Sequence, residues 1–175
     1  MEIERLSIPE VLLIKPSFFF DNRGVFFESF NEKKFQELTG LDIHFVQDNV
    51  SYSKKKVLRG LHFQKIPFEQ AKLVQVLKGR VLDVAVDIRK DSPTYGKYVS
   101  FELSDENHFQ LFIPRGFAHG FLSLTDDVIF SYKCDNYYAP QYDSGVIYND
   151  PLININWGEI IEYIVSEKDL GLKNL

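Results

Sequence analysis

The most regular stretch of the chain is residues 81–89, where Leu82, Val84, Val86 and Ile88 alternate with Asp83, Ala85, Asp87 and Arg89. A period of two predicts a strand with one apolar and one partly acidic face. An acidic face on such a strand needs a partner. If Lys78-Gly79 is a two-residue hairpin turn, Val76 pairs with Val81, Val74 with Asp83 and Lys72 with Ala85. Lys72 and Asp83 then become diagonal neighbours able to form an ion pair. One further loop residue would reverse the faces.

Other short runs rich in Val, Ile, Phe and Tyr recur between the turn sequences Asp21-Asn22-Arg23-Gly24, Ser92-Pro93, Ser104-Asp105-Glu106-Asn107, Asp126-Asp127, Ala139-Pro140 and Asn149-Asp150-Pro151. This spacing predicts an all-β fold, an antiparallel barrel or sandwich. Helix is expected only at the periphery. One short helix should be N-capped by Asn31, carry Phe35 and Leu38 on one face and stop at Gly40, and another turn should start at Ser166. No repeat or linker interrupts the pattern, so residues 1–175 are expected to form a single domain.

Composition narrows the function classes. At 175 residues with 45% hydrophobic side chains, 16 Phe and 9 Tyr, the chain can bury a core without disulfides. A net charge of -5 makes nucleic acid a poor partner, and any anionic ligand must be met by a local basic cluster. The single Cys134 excludes an internal disulfide and fits a reducing compartment, so the cytoplasm is the expected location. Glu2 and Glu4 precede a short apolar run at 11–14, unlike a signal peptide, and no stretch is long enough to span a bilayer as a helix.

Two segments carry candidate chemistry. In Val57-Leu58-Arg59-Gly60-Leu61-His62-Phe63-Gln64, a guanidinium and an imidazole stand three residues apart on an expected strand. Strict alternation would face them oppositely, and they can share a pocket only if Gly60 permits a bulge. The plainer reading of His62 is a hydrogen-bonded core or rim histidine. Ile113-Pro114-Arg115-Gly116-Phe117-Ala118-His119-Gly120-Phe121 holds the Pro-x-Gly-x-x-His pattern of the second cupin-barrel motif. Metal cupins add two closely spaced histidines and a glutamate, whereas the earlier segment here offers His62 alone. No metal is therefore expected.

Asp21-x-Arg23-Gly24-x-Phe26-x-Glu28, Gln47-Asp48-Asn49, Arg59-Gly60-Leu61-His62-x-Gln64, Gln70-Ala71-Lys72-Leu73-Val74, Asp83-Val84-Ala85-Val86-Asp87 and Ser92-Pro93-Thr94-Tyr95-Gly96 follow one another in order. Pro114 to Phe121, Tyr132-Lys133-Cys134, Tyr137-Tyr138, Asp150-Pro151, Trp157 and Lys168-Asp169 complete a series across nearly the whole chain. Each motif alone is weak, but in this joint order the chain resembles the dTDP-4-dehydrorhamnose 3,5-epimerases. The resemblance implies a cupin-like jelly roll, a homodimer, a nucleotide-sugar substrate and no redox cofactor. It also implies chemistry in which a ketone at sugar carbon 4 acidifies the hydrogens on carbons 3 and 5.

By resemblance His62 is the base and Tyr132 the acid, a division that suits an imidazole titrating near neutrality and a phenol that keeps its proton. Lys72 would stabilise the enolate oxygen, with Asp83 as its expected partner, and Asp169 would orient His62. From the residues alone, Ser166-Glu167-Lys168-Asp169 also reads as a capping box in which Asp169 reaches back to the helix start. The resemblance assigns Arg23, Arg59 and Lys168 to the phosphates or sugar nucleotide, Glu28, Gln47, Asp48 and Asn49 to the nucleotide, and His119 to the sugar or phosphate. Lys54-Lys55-Lys56 reads instead as a solvated loop. Asp143 stands where the family commonly has glutamate, one methylene longer, which bears on substrate choice. A related epimerase acting on a GDP- or CDP-linked sugar, or inverting one carbon, a catalytically silent sugar-binding cupin, and a metal-dependent cupin oxygenase or isomerase are the competing readings.

Overall fold

In the computed structural model, which describes residues 1–159 and 162–175, the turn sequences separate antiparallel strands. In chain order these begin with β1 (Glu2–Arg5), β2 (Leu12–Lys15), β3 (Phe18–Asp21), β4 (Gly24–Phe27), β5 (Gln47–Ser53), β6 (Leu58–Gln64) and β7 (Lys72–Lys78). They continue with β8 (Arg80–Asp87), β9 (Tyr98–Ser104), β10 (Gln110–Ile113), β11 (Phe117–Ser123), β12 (Val128–Cys134) and β13 (Asp143–Gly145). A six-stranded sheet runs β1-β2-β10-β7-β12-β5 and a five-stranded one β13-β6-β11-β8-β9, while β3 and β4 form a separate two-stranded arm. The architecture is the expected all-β, cupin-like jelly roll with short peripheral helices.

The inner faces of the two sheets make the central core. Leu13, Val74, Val76, Leu111 and Phe130 from the larger sheet meet Val81, Ala85, Val99, Leu103 and Phe121 from the smaller. Each sheet also has a covered outer face. Phe35 of α1 (Glu32–Thr39) closes a cluster with Leu12, Ile14, Leu73 and Phe112, and Trp157, Ile153 and Val146 close another over Leu58, Leu61, Val84 and Val86. Strand β8 is thus apolar towards both layers, and the charges among residues 81–89 must find partners inside the protein.

The predicted hairpin between β7 and β8 does not form. Gly79 turns the chain with φ +79°, but β7 pairs with β10 and β12 while β8 pairs with β11 and β9. The amides a hairpin would use are taken elsewhere, since Gly79 N donates to Asp105 Oδ2 (3.0 Å) and Arg80 N to Thr125 Oγ1 (2.9 Å). The two strands meet face to face across the core, and Asp83 bonds to His119 rather than pairing with Lys72.

Helix α1 has the expected caps: Asn31 Oδ1 accepts from Lys34 N, and Gly40 sits at φ +71°. Its apolar face is narrower than predicted, because Phe35 is buried and Leu38 is exposed. The turn at Ser166 becomes α2 (Glu167–Leu170). Lys54, Lys55 and Lys56 are exposed, as a solvated loop should be.

Candidate active site

The segment around His62 is shaped by a bulge in β6. Across from β11, His62 stands opposite His119 and Arg59 opposite Phe121, so three steps along β6 match two along β11. Gly60 has φ +124°, and a Cβ there would lie 2.6 Å from Gly120 Cα; a Cβ on Gly120 would lie 2.6 Å from the Arg59 carbonyl oxygen. Two glycines facing each other let the strands come this close. The shift brings Arg59 and His62 to one cleft of about 430 Å³, shared with Ser166, Lys168 and Asp169.

His62 also lines an adjoining cavity of about 330 Å³ together with Tyr132, Lys72, Gln47, Asn49, Gln64, Gln70, Tyr138, Asp143 and Lys168. That volume is at the lower end for small-molecule sites. The imidazole comes from the five-stranded sheet and the phenol from the six-stranded one, so the two side chains enter from opposite walls. A larger open groove of about 770 Å³ runs past Glu10, Lys65, Arg89 and Pro93, but none of His62, Tyr132 and Lys72 lines it.

Asp169 holds the imidazole. Its Oδ1 lies 2.7 Å from His62 Nε2, and its Oδ2 accepts the Gly60 amide at 3.1 Å. Burial opposes ionisation of this carboxyl, but the His62 hydrogen bond and the Gly60 amide outweigh it and hold Asp169 below the ordinary carboxylate value. With Asp169 ionised, Nε2 carries the imidazole hydrogen and Nδ1 is left as the basic nitrogen. The capping reading is half realised: Ser166 Oγ accepts from Asp169 N at 3.1 Å, while the Asp169 carboxylate turns to His62 and Gly60.

Tyr132 and Lys72 have complementary electrostatics. Burial, followed by the nearby Cys134 thiol, raises the Tyr132 phenol above its ordinary value and keeps it protonated, with Arg59 pulling the other way. Burial pulls the Lys72 ammonium below its ordinary value, and the Asp83 and Asp143 carboxylates push it back up. Lys72 Nζ reaches the His62 carbonyl oxygen at 3.5 Å. The Cys134 thiol, pushed up to about 11 mainly by burial, stays neutral near neutral pH.

The other predicted residues divide into two groups. Gln47 and Asn49 face the cavity and bond to each other at 3.0 Å. Asp48, between them on β5, turns outward by strand alternation to Lys133 at 2.9 Å, so its side chain is not in the cavity. Asp143 and Lys168 are in the cavity and bonded to each other, and Tyr138 Oη donates to the same Asp143 oxygen at 3.1 Å. His119 is buried with Nε2 2.9 Å from Asp83, and burial lowers its pKa although Asp83 works against this.

Arg23 and Glu28 lie away from this cavity. Arg23 sits at the tip of the β3–β4 arm on Asp21, and Glu28 binds Lys34 at 2.8 Å and Asn31 at 3.1 Å. Sequence reasoning gave no role to Tyr138, Gln70 or Gln64. For Gln64 a signal existed, since it shares a strand face with His62. Its amide is spent on Ala139 N, Phe68 O and Tyr137 O, which anchors the segment bearing Tyr138. Among the described residues, no group of three His, Cys, Asp or Glu side chains converges as metal ligands.

A family profile described as dTDP-4-dehydrorhamnose 3,5-epimerase matches residues 5–175. The chain belongs to the dTDP-4-dehydrorhamnose 3,5-epimerase family. It is 50% identical to the Shigella flexneri enzyme of that name over 171 residues, covering 98% of this chain and 94% of that one. The crystal structure of the dTDP-4-dehydrorhamnose 3,5-epimerase from Elizabethkingia anophelis matches with a TM-score of 0.95 and 50% identity over 99% of this chain and 96% of that one. The dTDP-6-deoxy-D-glucose-3,5-epimerase of Legionella pneumophila, solved with dTDP-4-keto-L-rhamnose, matches with a TM-score of 0.96 and 47% identity over 99% of this chain and 92% of that one. Membership makes this chain an isomerase, and its His62, Tyr132 and Lys72 side chains line one cavity, with the Asp169 carboxylate bonded to His62.

Proposed function

We propose that the chain inverts carbons 3 and 5 of dTDP-4-dehydro-6-deoxy-D-glucose to give dTDP-4-dehydro-L-rhamnose, a step in deoxysugar and polysaccharide biosynthesis, in the cytoplasm. The observation that carries this reading is the placement of His62 and Tyr132 on opposite walls of one cavity that Lys72 also lines. Inversion needs a proton removed from one face of the carbon and returned to the other. His62 Nδ1 takes the proton beside the ketone, the bond electrons move onto the carbonyl oxygen as an enolate, and Lys72 stabilises that oxygen. Tyr132 returns a proton from the opposite side; once His62 has passed its proton to solvent and Tyr132 has taken one back from it, the same two transfers occur at the second carbon. Asp169 keeps His62 in the required tautomer.

Arg59, Lys168, Gln47, Asn49 and His119 serve the sugar nucleotide from within the chain. Arg23 and Glu28 serve a second copy: both lie outside their own cavity, on or next to an arm whose Phe19, Phe20 and Phe26 are 63%, 78% and 69% exposed. Such an apolar surface is characteristic of an interaction site, and a homodimer that exchanges arms would cover it.

Asp143 supports a second reading, an epimerase for another keto sugar nucleotide, because its carboxylate is already engaged by Lys168 and Tyr138. Product analysis by proton NMR after incubation with dTDP-4-keto-6-deoxyglucose tests the proposal together with a thermal-shift panel of dTDP, GDP and CDP. Inversion at both carbons and a selective shift with dTDP are expected. Stabilisation by GDP or CDP alone, with no turnover of the dTDP sugar, would transfer the assignment to the second reading.

A further inference from the structure

Asp169 stands on α2, a helix of only one turn, and so short a helix has little stability of its own. The position of its carboxylate is set by the chain on either side. On the N-terminal side, Ile164 bridges to Val57, with Leu58 N donating to Ile164 O at 3.0 Å and Ile164 N to Lys56 O at 2.8 Å. On the C-terminal side, Lys173 bridges to Val146 and its carbonyl accepts Ile147 N at 2.9 Å. Residues 162–175 therefore form a strap laid over the five-stranded sheet, with Lys168 and Asp169 at its middle.

The far end of this strap is held by a buried charge. Asp150 is 2% exposed, and its Oδ1 accepts Leu152 N at 2.8 Å and Ile153 N at 3.0 Å. Its Oδ2 accepts the amide of Leu175 at 2.8 Å. One carboxylate thus organises the turn after Asn149 and fastens the strap to it. The Leu175 side chain packs with the cluster around Trp157, and Leu172 lies so close to Gly145 that a Cβ there would stand 2.6 Å from its Cδ1.

We infer that Asp150 is a positioning residue for the epimerisation: by fastening Leu175 it keeps the Asp169 carboxylate against His62. The inference rests on His62 being the base. Its geometric consequence has a reporter of its own, because the Gly60 amide donates to Asp169 Oδ2 and is protected from exchange only while that carboxylate is in place.

Asp150→Asn preserves shape but sets an amide donor against either the Leu175 amide or the turn amides. Leu175→Pro removes the other partner's N–H and leaves Asp150 intact. In each variant Gly60 exchanges at least about tenfold faster while amides of β8 keep their protection, and kcat/KM falls about tenfold to a hundredfold, the scale of a small misplacement at a reacting group. The double variant is no worse than the more severe single one, since both remove the same bond. Should Asp150→Asn fail to fold, Leu175→Pro carries the test alone.

Unchanged Gly60 protection and turnover in the variants would overturn the inference, and so would Gly60 and β8 amides losing protection together, which is global destabilisation. Failure of the function assigned to His62 reads out separately: His62→Ala would then keep turnover, while Asp150→Asn would still release Gly60.

Discussion

At the residue scale, an enclosed ammonium with a carbonyl oxygen as its hydrogen-bond partner is electrostatically incomplete, and Lys72 is in that position. Burial lowers its pKa because nothing adjacent fully compensates the charge, and an enolate oxygen in the cavity would supply the missing anion. Lys72→Ala should lower kcat by about a hundredfold to a thousandfold, the usual cost of removing one such electrostatic group. Steady-state kinetics checks this, and a change confined to KM would contradict it. Tyr132→Phe should behave differently: proton removal survives while correct reprotonation fails, so solvent exchange at one carbon outlasts net epimerisation. Equal loss of both, followed by NMR, would count against the phenol as acid. Asp87 makes a prediction about stability instead. Burial works against its ionisation, yet Arg89, Ser92 and Thr94 hold its pKa well below the ordinary 3.8. A depressed carboxyl stabilises the fold above its unfolded value, and that contribution is lost as pH falls from about 4 towards the folded value. Melting curves of the wild type should therefore lose stability on acidification below about pH 4 more steeply than those of Asp87→Asn.

At the element scale, the β6 bulge decides whether Arg59 and His62 share a site. A methyl at Gly60 would meet the Gly120 backbone at 2.6 Å while forcing an L side chain to φ +124°. Gly60→Ala should therefore cost about 3 kcal/mol or more, as clash and backbone strain combine. Denaturant unfolding measures it, and a loss under 1 kcal/mol would mean that the bulge relaxes at about the cost of an ordinary surface change. Much of this element was legible in the sequence, because two functional side chains three apart on a strand demand an irregularity and Gly60 lies between them. Its complement, Gly120, stands one residue beyond the Pro-x-Gly-x-x-His motif, and nothing in that motif marks it as facing Gly60. The β7–β8 connection was not legible, since Lys78-Gly79 has the same local pattern whether the chain folds back or crosses between sheets. What decided it was the competition of Asp105 and Thr125 for the turn amides, residues far along the chain. The outward position of Asp48 was legible in the sequence. Three consecutive strand residues cannot all face one cavity, and alternation keeps Gln47 and Asn49 inside.

At the scale of the whole molecule, the chain places His62 and Tyr132 within one cavity and leaves Arg23 and Glu28 outside it. No local pattern could have disclosed this, because the distance between an arm and a pocket is a property of the tertiary fold. Light scattering should give the mass of a dimer, and replacing Phe19, Phe20 and Phe26 by Ser should weaken association and raise KM together. A monomer with full activity would contradict the exchange of arms. If one imidazole moves protons at two carbons, deuterium should pass from heavy water into dTDP-4-keto-6-deoxyglucose at both of them. The wild type should label carbons 3 and 5, and His62→Ala, folded and still binding dTDP, should label neither. Undiminished labelling by that variant would remove His62 as the base.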